Sequence, residues 1–379
     1  MKLLAALSCL LSVPLLSPLS AAEAANAQVL EVRTISQDPW FYHGWPTLTR
    51  RESGELWVVF SGGRAGHICP FGQVSAITSK DEGKSWSRSR VVYDSPMDDR
   101  DSGILETAKG TLIVSTFTSL AYEPMLEKAE KDHSWTPEKL ALWKATQNQL
   151  PPEVRRAQLG EWTLRSVNGG MTWSNPIRSL VNSPHGPIQL KDGRLLYAGK
   201  KLWTPDNEIG VCESLDDGQS WQWLATIPTR TGDAAARGYH ELHAVEAADG
   251  TIVVQIRNHN PSNALETLQT ESSDGGKSWT EPHSIGVWGM PSHLMRLRDG
   301  RLLMTYGHRR VPFGNQARLS TDNGKTWGDP ILISNDGIGG DLGYPSTVEL
   351  PDDSLLTVWY ESMKDPKLAV LRQAHWRLP

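Results

Sequence analysis

The chain of 379 residues has little net charge and little cysteine. Lys and Arg number 38 and Asp and Glu 43, which leaves a net charge of −5. Nucleic-acid-binding proteins usually carry a strongly basic face, and a slightly negative net charge argues against one. We therefore expect no nucleic-acid partner. The three cysteines form no CxxC motif and no HExxH motif occurs, so the sequence predicts neither a metal nor a cofactor. Cys69 and Cys212 could form one disulfide or remain two buried thiols.

Long apolar runs are also absent, with one exception at the N terminus. A lysine precedes the apolar residues 3–16, and small residues follow, with cleavage expected after Ala22 or Ala27. This run is too short to span a bilayer and is typical of a secretory signal peptide. We therefore expect residues 1–27 to be a signal peptide and residues 28–379 to be secreted or periplasmic, without a membrane span.

Glycine, proline and tryptophan are abundant, at 33, 24 and 16 residues, and many of them belong to repeats. One repeat, here called the turn box, reads Ser-x-Asp-x-Gly-x-x-Trp. Four copies cover residues 79–86, 214–221, 272–279 and 320–327, and a fifth at 166–173 has Asn168 in place of Asp. Asp and Gly suit a tight turn, and the Trp can pack on neighbouring strands. We assign the boxes a structural role and no chemistry.

A second repeat places a turn before an alternating apolar strand, and each copy indicates a β-hairpin. The six turns lie at positions 54, 110, 193, 250, 300 and 353. A unit of about 50 residues with four short strands is typical of a propeller blade, so the sequence predicts an all-β, six-bladed β-propeller over residues 28–379. A longer gap in blade two holds a partly helical insertion at about 121–160, either a lid or a surface elaboration. The strand around residues 29–34 is expected to close the last blade.

In a propeller, the residues just before the first strand and just after the second strand of each hairpin meet at one mouth of the ring. This mouth is therefore the predicted site. The entering residues include His43, Asp99, Arg100, Asp101, His185, Glu241, His293 and Tyr344, and the leaving residues include Arg64, His67, Arg257, Arg309 and Arg310.

These residue types indicate recognition of an anion beside an acid/base pair. Arginines present forked donors to a carboxylate or sulfate. Tyr344 and Glu241 lie at matching depths, each nine residues before its turn. A tyrosine is a weak nucleophile unless a neighbouring carboxylate acts as its base. Asp101 or Asp99 could be the general acid if the pocket raises its pKa.

The boxes and blades resemble the sialidase (neuraminidase) superfamily over essentially all of the expected mature chain. In that family an arginine triad holds the carboxylate of sialic acid, a tyrosine activated by a glutamate attacks the anomeric carbon, and an aspartate is the acid/base. The resemblance implies that Tyr344 is the nucleophile, Glu241 its base and Arg257 the second arginine of the triad. Arg309 or Arg310 corresponds to the third.

Two positions depart from the family pattern. Where the family has its first triad arginine, this sequence has Tyr-His-Gly-Trp-Pro at 42–46, without an arginine. The loop that carries the acid/base aspartate in the family corresponds to residues 64–72, which contain no Asp. Arg64 or His43 could compensate for the missing arginine.

Three functions therefore remain open, all with a glycan partner. The first is an exo-glycoside hydrolase that acts on sialic acid or a related acidic sugar with an Asp or His acid/base. The second is a polysaccharide lyase or another exo-glycosidase that uses His43, His67 and Tyr344. The third is a glycan-binding propeller without catalysis. The candidate catalytic residues are Tyr344, Glu241, Asp101 and His43, and the candidate substrate-binding residues are Arg64, His67, Arg100, Arg257, Arg309 and Arg310.

Overall fold

The computed structural model describes residues 25–36, 38, 40–364 and 368–379. The expected signal peptide lies outside the described residues except for its last three positions. None of the helices in the described ranges is long and apolar enough to cross a membrane.

The strands form six sheets around a ring, antiparallel apart from one short parallel pair at an outer edge, and are numbered here in chain order. The chain starts with β1 (Ala25–Asn26) and β2 (Gln28–Thr34). Blade one contains β3 (Tyr42–Arg50), β4 (Leu56–Arg64), β5 (Gln73–Ser79) and β6 (Arg90–Tyr93). Blade two contains β7 (Asp98–Glu106), β8 (Leu112–Ser119), β9 (Glu161–Ser166) and β10 (Ile177–Arg178). Blade three contains β11 (Ile188–Gln189), β12 (Leu195–Lys200), β13 (Ile209–Ser214) and β14 (Gln222–Thr226).

The second half of the ring repeats this order. Blade four contains β15 (Tyr239–Glu246), β16 (Ile252–Asn258), β17 (Glu266–Ser272) and β18 (His283–Trp288). Blade five contains β19 (Ser292–Arg296), β20 (Leu302–His308), β21 (Gly314–Ser320) and β22 (Ile331–Ser334). Blade six contains β23 (Leu342–Glu349), β24 (Leu355–Ser362) and β25 (Ala369–Arg377). The predicted all-β, six-bladed propeller is confirmed.

The N-terminal strand closes the ring as predicted. Strand β2 pairs antiparallel with β25 and becomes the outermost strand of blade six. Strand β1 pairs parallel with β22 at the outer edge of blade five. Ala27, between them, packs in a core cluster with Trp359 and Trp376. Closure by the chain's own first strands leaves no open edge between the first and last blades.

The turn boxes hold the outer turns of the blades. In the first box, the Ser79 hydroxyl donates to Asp81 Oδ1 at 2.7 Å and accepts from the Gly83 N–H at 2.9 Å. Gly83 adopts φ +81°, which favours glycine. In the last box, Trp327 Nε1 donates to Gln269 Oε1 of the preceding blade at 2.8 Å. The structural role predicted for the boxes is confirmed, because they tie neighbouring blades together.

Apolar clusters fill the spaces between adjacent blades. Alternate residues of a strand point to opposite faces, so the second strand of each hairpin contributes to the cluster on either side. Between blades three and four, for example, fully buried Leu196 and Val211 pack with Val254 and Ile256. The core is therefore distributed around the ring and leaves the strand ends free to form a site.

The predicted insertion is helical and supports a neighbouring loop. It contains α1 (Glu123–Asp132), α2 (Pro137–Gln147) and α3 (Pro152–Ala157), and the short α4 (Ala235–Gly238) precedes β15. Buried Trp143, Tyr122 and Leu126 pack against Cys69, with Phe71 at the edge of the same cluster. The insertion thus braces the loop that follows β4.

Both cysteines of the described chain are free and buried. Cys69 belongs to the insertion cluster, and Cys212 packs with Val181 and Tyr197 in a different cluster. Of the two alternatives drawn from the sequence, the pair of buried thiols is the one observed.

Candidate active site

One mouth of the ring holds a pocket of about 300 Å³ to which all six blades contribute. It is lined by Trp45, His67, Arg100, Asp101, Phe117, Asn182, Ser183, Lys200, Leu202, His240, Glu241, Arg257, Arg309, Tyr344 and Tyr360. The structure therefore brings together seven of the candidate residues: His67, Arg100, Asp101, Glu241, Arg257, Arg309 and Tyr344.

Bulges in the innermost strands aim side chains into this pocket. The register shifts near Trp45 in β3, near Asp101 in β7, near Glu241 in β15 and near Tyr344 in β23. Trp45, Asp101 and Tyr344 have φ of 53°, 45° and 53°, a conformation that is costly for residues with a side chain. A bulge inserts one residue and re-aims its neighbours, so these blades deliver side chains to the pocket that a regular strand would direct elsewhere.

Tyr344, Glu241 and Arg257 form a compact hydrogen-bonded cluster in the pocket. The Tyr344 hydroxyl donates a short hydrogen bond to Glu241 Oε1. Arg257 Nη1 donates to Glu241 Oε2 at 2.6 Å and lies 3.2 Å from the Tyr344 hydroxyl. The two carboxylate oxygens of Glu241 are thus divided between the phenol and the guanidinium. A phenol whose proton already points at a carboxylate is arranged to lose that proton during an attack.

Electrostatics keep the proton on Tyr344 and off Glu241 in the resting protein. Burial and the negative charge of Glu241 raise the pKa of Tyr344 well above its ordinary value. Burial opposes ionisation of Glu241, but the charge of Arg257 and the hydrogen bonds from Tyr344 and Arg257 outweigh it and lower the pKa of Glu241. The resting pair is a neutral phenol beside an ionised base.

Asp101 lies deep in the pocket and is only 8% exposed. Its Oδ1 has no hydrogen-bond partner among the described residues. Burial raises the pKa of Asp101 to about 6, with Arg100 opposing the shift and Glu241 adding to it. The carboxyl is therefore partly protonated near neutral pH and can donate a hydrogen bond to a ligand.

Two arginines offer unused donors to the pocket. Arg309 Nε donates to the Leu342 carbonyl at 2.9 Å, and its guanidinium lies 5.5 Å from the Tyr344 ring centroid. Arg309 Nη2 is buried and finds no acceptor within the described part of the chain. The Arg100 guanidinium stacks 4.7 Å from the Trp45 ring, and its buried Nε is likewise without a partner in the described ranges. Buried, unsatisfied cationic donors are costly unless a ligand completes them.

Asp341 is a site residue that the sequence analysis missed. It accepts from Tyr42 Oη at 3.1 Å, Tyr360 Oη at 3.0 Å and Ser362 Oγ at 2.9 Å, and its Oδ1 lies 3.1 Å from His67 Nδ1. Burial alone would raise its pKa, but these hydrogen bonds and the charge of His67 lower the pKa of Asp341 to about 2. The available signal was an acidic residue directly before the first strand of blade six.

Arg64 is not available to a substrate, contrary to prediction. Its side chain is fully buried and forms an ion pair with fully buried Asp98, with Nη1 2.6 Å from Oδ1. Arg64 Nε donates to the Gly66 carbonyl at 3.3 Å, and Nη2 donates to the His67 carbonyl at 3.1 Å. Arg64 therefore holds the loop after β4 and does not replace the missing triad arginine.

His43 also lies outside the pocket. It borders a separate, larger cavity of about 680 Å³ with Phe41 and Asp94, on the side of blade one that faces the insertion. Its Nδ1 lies 2.9 Å from Ser36 Oγ, and burial lowers the pKa of His43 to about 4. The larger cavity lacks the Tyr–Glu–Arg cluster, so we place the candidate site in the smaller pocket.

Arg310 points away from the pocket as well. Its guanidinium lies 4.4 Å from the Trp288 ring, and its Nε donates to His308 Nε2 at 3.1 Å. Arg309, the adjacent candidate, is the one that faces the site. Asp99, the other candidate acid, accepts from the Ser95 N–H at 2.7 Å and does not line the pocket.

Three buried histidines pack together beside the pocket. The rings of His243 and His293 stack at 4.7 Å, and His185 lies 5.0 Å from His293 and 6.4 Å from Tyr344. Burial lowers the pKa of His293 to about 3 and lowers the pKa values of His185 and His243 strongly. Among the described residues, no group of three or more His, Cys, Asp or Glu side chains is arranged to hold a metal ion.

A six-bladed propeller with turn boxes and a Tyr–Glu–Arg cluster in its mouth defines a sialidase-like propeller. The chain belongs to the BNR repeat-like domain family, whose model matches residues 133–357. A sialidase from Bacteroides fragilis is 23% identical over 224 residues, which cover 52% of this chain and 38% of that protein. The matched stretch thus spans well under half of that relative.

Solved structures show the same fold. A protein of unknown function from Dyadobacter fermentans superposes with a TM-score of 0.74 and 21% identity, over 93% of this chain and 100% of that chain. The NanB sialidase from Streptococcus pneumoniae superposes with a TM-score of 0.61 and 15% identity, over 97% of this chain and 71% of that chain. At 21% and 15% identity, these superpositions establish the propeller fold of the chain.

Proposed function

We propose that this protein is an exported exo-glycoside hydrolase of sialidase type that removes a terminal acidic sugar, either sialic acid or a related sugar. The observation that carries the proposal is the contact of Tyr344 with Glu241 inside a pocket that also holds Arg257. The apolar run at residues 3–16 supports export.

The chemistry follows from the charge of the substrate. An ionised carboxylate nucleophile would be repelled by an anionic sugar, whereas a neutral phenol is not. Tyr344 Oη attacks the anomeric carbon while its proton passes to Glu241 Oε1, and the leaving group takes the bonding electrons and a proton from a general acid. Water then gives a proton back to that group as its oxygen displaces Tyr344 from the sugar, and Glu241 returns the first proton to Tyr344. Two steps with inversion at each give overall retention.

The pocket supports an acidic sugar as substrate. Arg257, Arg309 and Arg100 all face it, and the last two carry the unused donors described above. Arginine donors pair well with a carboxylate in a bidentate geometry. A cavity of about 300 Å³ at the mouth of the ring suits a terminal monosaccharide, in keeping with exo action. The lyase alternative that combined His43 with Tyr344 loses its support, because His43 borders a different cavity.

The test is a panel of 4-methylumbelliferyl glycosides, with an α-sialoside, a β-glucuronide and an α-galacturonide set against a neutral glucoside and galactoside. We expect the purified protein to release the fluorophore from an acidic member only. Tyr344→Phe should lower kcat/KM at least about 10³-fold, as removal of a nucleophile does. Tyr306→Phe is the matched control, since buried Tyr306 contacts Gln316 and does not line the pocket. Hydrolysis of an acidic glycoside that survives Tyr344→Phe would refute the nucleophile, and no hydrolysis of any acidic glycoside would refute the function.

A further inference from the structure

We infer that His67, oriented by Asp341, is the group that gives a proton to the departing part of the substrate and later takes one from water. This inference rests on the proposed hydrolase. It stands on three features of the described residues: the hydrogen bonding of the His67 ring, its position at the mouth, and the way its loop is held.

Hydrogen bonding assigns the two nitrogens of the His67 ring to different tasks. Asp341 is ionised and can only accept hydrogen bonds, so Nδ1 carries the proton in its 3.1 Å contact with His67. Tyr42 Oη lies 3.0 Å from the same Nδ1, and its own proton is directed to Asp341 Oδ1 at 3.1 Å, which leaves Nδ1 as a donor. Tyr42, Tyr360 and Ser362 complete the shell of Asp341 and fix the carboxylate in place. The second nitrogen, Nε2, is left to gain and lose a proton, as in other catalytic histidines whose Nδ1 is held by a carboxylate.

Position distinguishes His67 from Asp101, another titratable group that lines the pocket. In an exo-hydrolase the terminal sugar occupies the deep part of the pocket, and the leaving group extends toward solvent. Asp101 is 8% exposed, and its charge adds to burial and to Glu241 in raising the pKa of Tyr344. The His67 side chain is 49% exposed and still lines the same pocket. His240 also lines the pocket, but its Nε2 lies 3.1 Å from the Arg237 carbonyl. Compared with Asp101, His67 is therefore the group placed to meet a leaving group and exchange protons with bulk water.

The loop that carries His67 is rigidly supported. Arg64 donates to the backbone carbonyls of Gly66 and His67 from inside the blade, and Cys69 is packed by the helical insertion. The His67 and Trp45 rings pack in a T-shaped arrangement with their centroids 5.0 Å apart. A proton donor must be placed precisely to act in the transition state, and these contacts place it.

As Tyr344 Oη bonds to the anomeric carbon and gives its proton to Glu241, the glycosidic C–O bond breaks, and Nε2–H of the His67 imidazolium protonates the leaving oxygen. In the second step neutral Nε2 takes a proton from water, the water oxygen bonds to the anomeric carbon, and Tyr344 leaves and recovers its proton from Glu241. The net change is hydrolysis, with no oxidant or cofactor needed.

The experiment compares good and poor leaving groups on the full-length protein. Two substrate pairs are used: 4-methylumbelliferyl α-sialoside with 3′-sialyllactose, and 4-nitrophenyl β-glucuronide with a glucuronyl disaccharide. On the pair that the protein hydrolyses, His67→Gln should lower kcat/KM about 10²–10⁴-fold for the sugar leaving group, the usual contribution of general acid catalysis. The aryl glycoside needs little protonation, so its kcat/KM should fall less than about tenfold. Added azide should restore turnover of the aryl glycoside, because azide needs no general base.

Asp341→Asn tests the positioning role of Asp341. Like His67→Gln, it should lower kcat/KM more for the sugar leaving group than for the aryl leaving group, but by a smaller factor. Asp101→Asn is the discriminating variant, and it should lower kcat/KM for both leaving groups alike. An equal loss on both substrates in His67→Gln, or a leaving-group preference that appears in Asp101→Asn instead, would overturn the inference while leaving the hydrolase intact. If the unmodified protein hydrolyses neither pair nor any acidic glycoside of the panel, the proposed function and this inference fail together. The His67 side chain is 49% exposed and its bond to Asp341 lies at the surface, so its variant should lower Tm by no more than about 1–2 °C.

Discussion

The ion pair between Arg64 and Asp98 gives a prediction that does not depend on knowing the substrate. Both side chains are fully buried, with two guanidinium–carboxylate contacts at 2.6 Å and 3.3 Å. Arg64→Met removes the positive charge and leaves Asp98 buried without it. Breaking a buried pair in this way costs about 3–5 kcal/mol. With an unfolding entropy of about 2.1 cal/mol/K per residue, a domain of this size should lose about 4–7 °C in Tm.

Differential scanning calorimetry at neutral pH measures this loss, and a double-mutant cycle identifies its origin. Asp98→Leu alone should be similarly costly, and the double variant should cost clearly less than the sum of the two. The control is Arg298→Met, because Arg298 is paired at the surface with exposed Asp353 and should change stability by less than about 1 kcal/mol. Additive losses, or a loss in Arg64→Met no larger than in the surface control, would show that the pair does not hold the loop.

Three further predictions follow from groups described above. Burial raises the pKa of Asp101 to about 6, so the folded state binds this proton more tightly than the unfolded state, and stability is lost as pH rises from about 4 to 6. Asp101→Asn should therefore raise Tm by a few degrees at pH 8 and leave it nearly unchanged at about pH 4; an equal gain at both would contradict the assignment. Cys69 and Cys212 should resist a thiol reagent in the native state, and a reductant should not shift Tm, whereas a shift would indicate a disulfide. Of the two expected cleavage sites, N-terminal sequencing of exported protein should show the one after Ala22, because cleavage after Ala27 would remove β1 and its pairing with β22; a start at Gln28 would argue against a role of β1 in the fold.

The architecture could be predicted because its causes are local and repeated. Each hairpin turn and each turn box is determined by a few neighbouring residues, as the bonds of Ser79 to Asp81 and Gly83 illustrate. A repeat of about 50 residues then limits the fold to a small set of rings. The partly helical insertion and the N-terminal closing strand follow from the same local signals.

The site was predicted only in part because strand ends can be located more easily than side-chain directions. A bulge turns Tyr344 and Glu241 inward, and a pattern of alternating residues does not show where a bulge occurs. Arg64 is oriented by Asp98 from another blade, a long-range contact without a sequence signal in either segment. Asp341 was missed for a similar reason, since its importance comes from four partners on three other segments and not from its own surroundings in the chain.

The pairing of β2 with β25 also determines where the two ends of the folded chain lie. Gln28 is the register partner of Arg377, so the start of the closing strand and the end of the last strand are neighbours in one ladder. A connection of a few residues between them would make a hairpin and preserve the outer edge of blade six. The ring is therefore suited to circular permutation, with new termini in any exposed loop remote from the pocket, at the expense of the short contact made by β1.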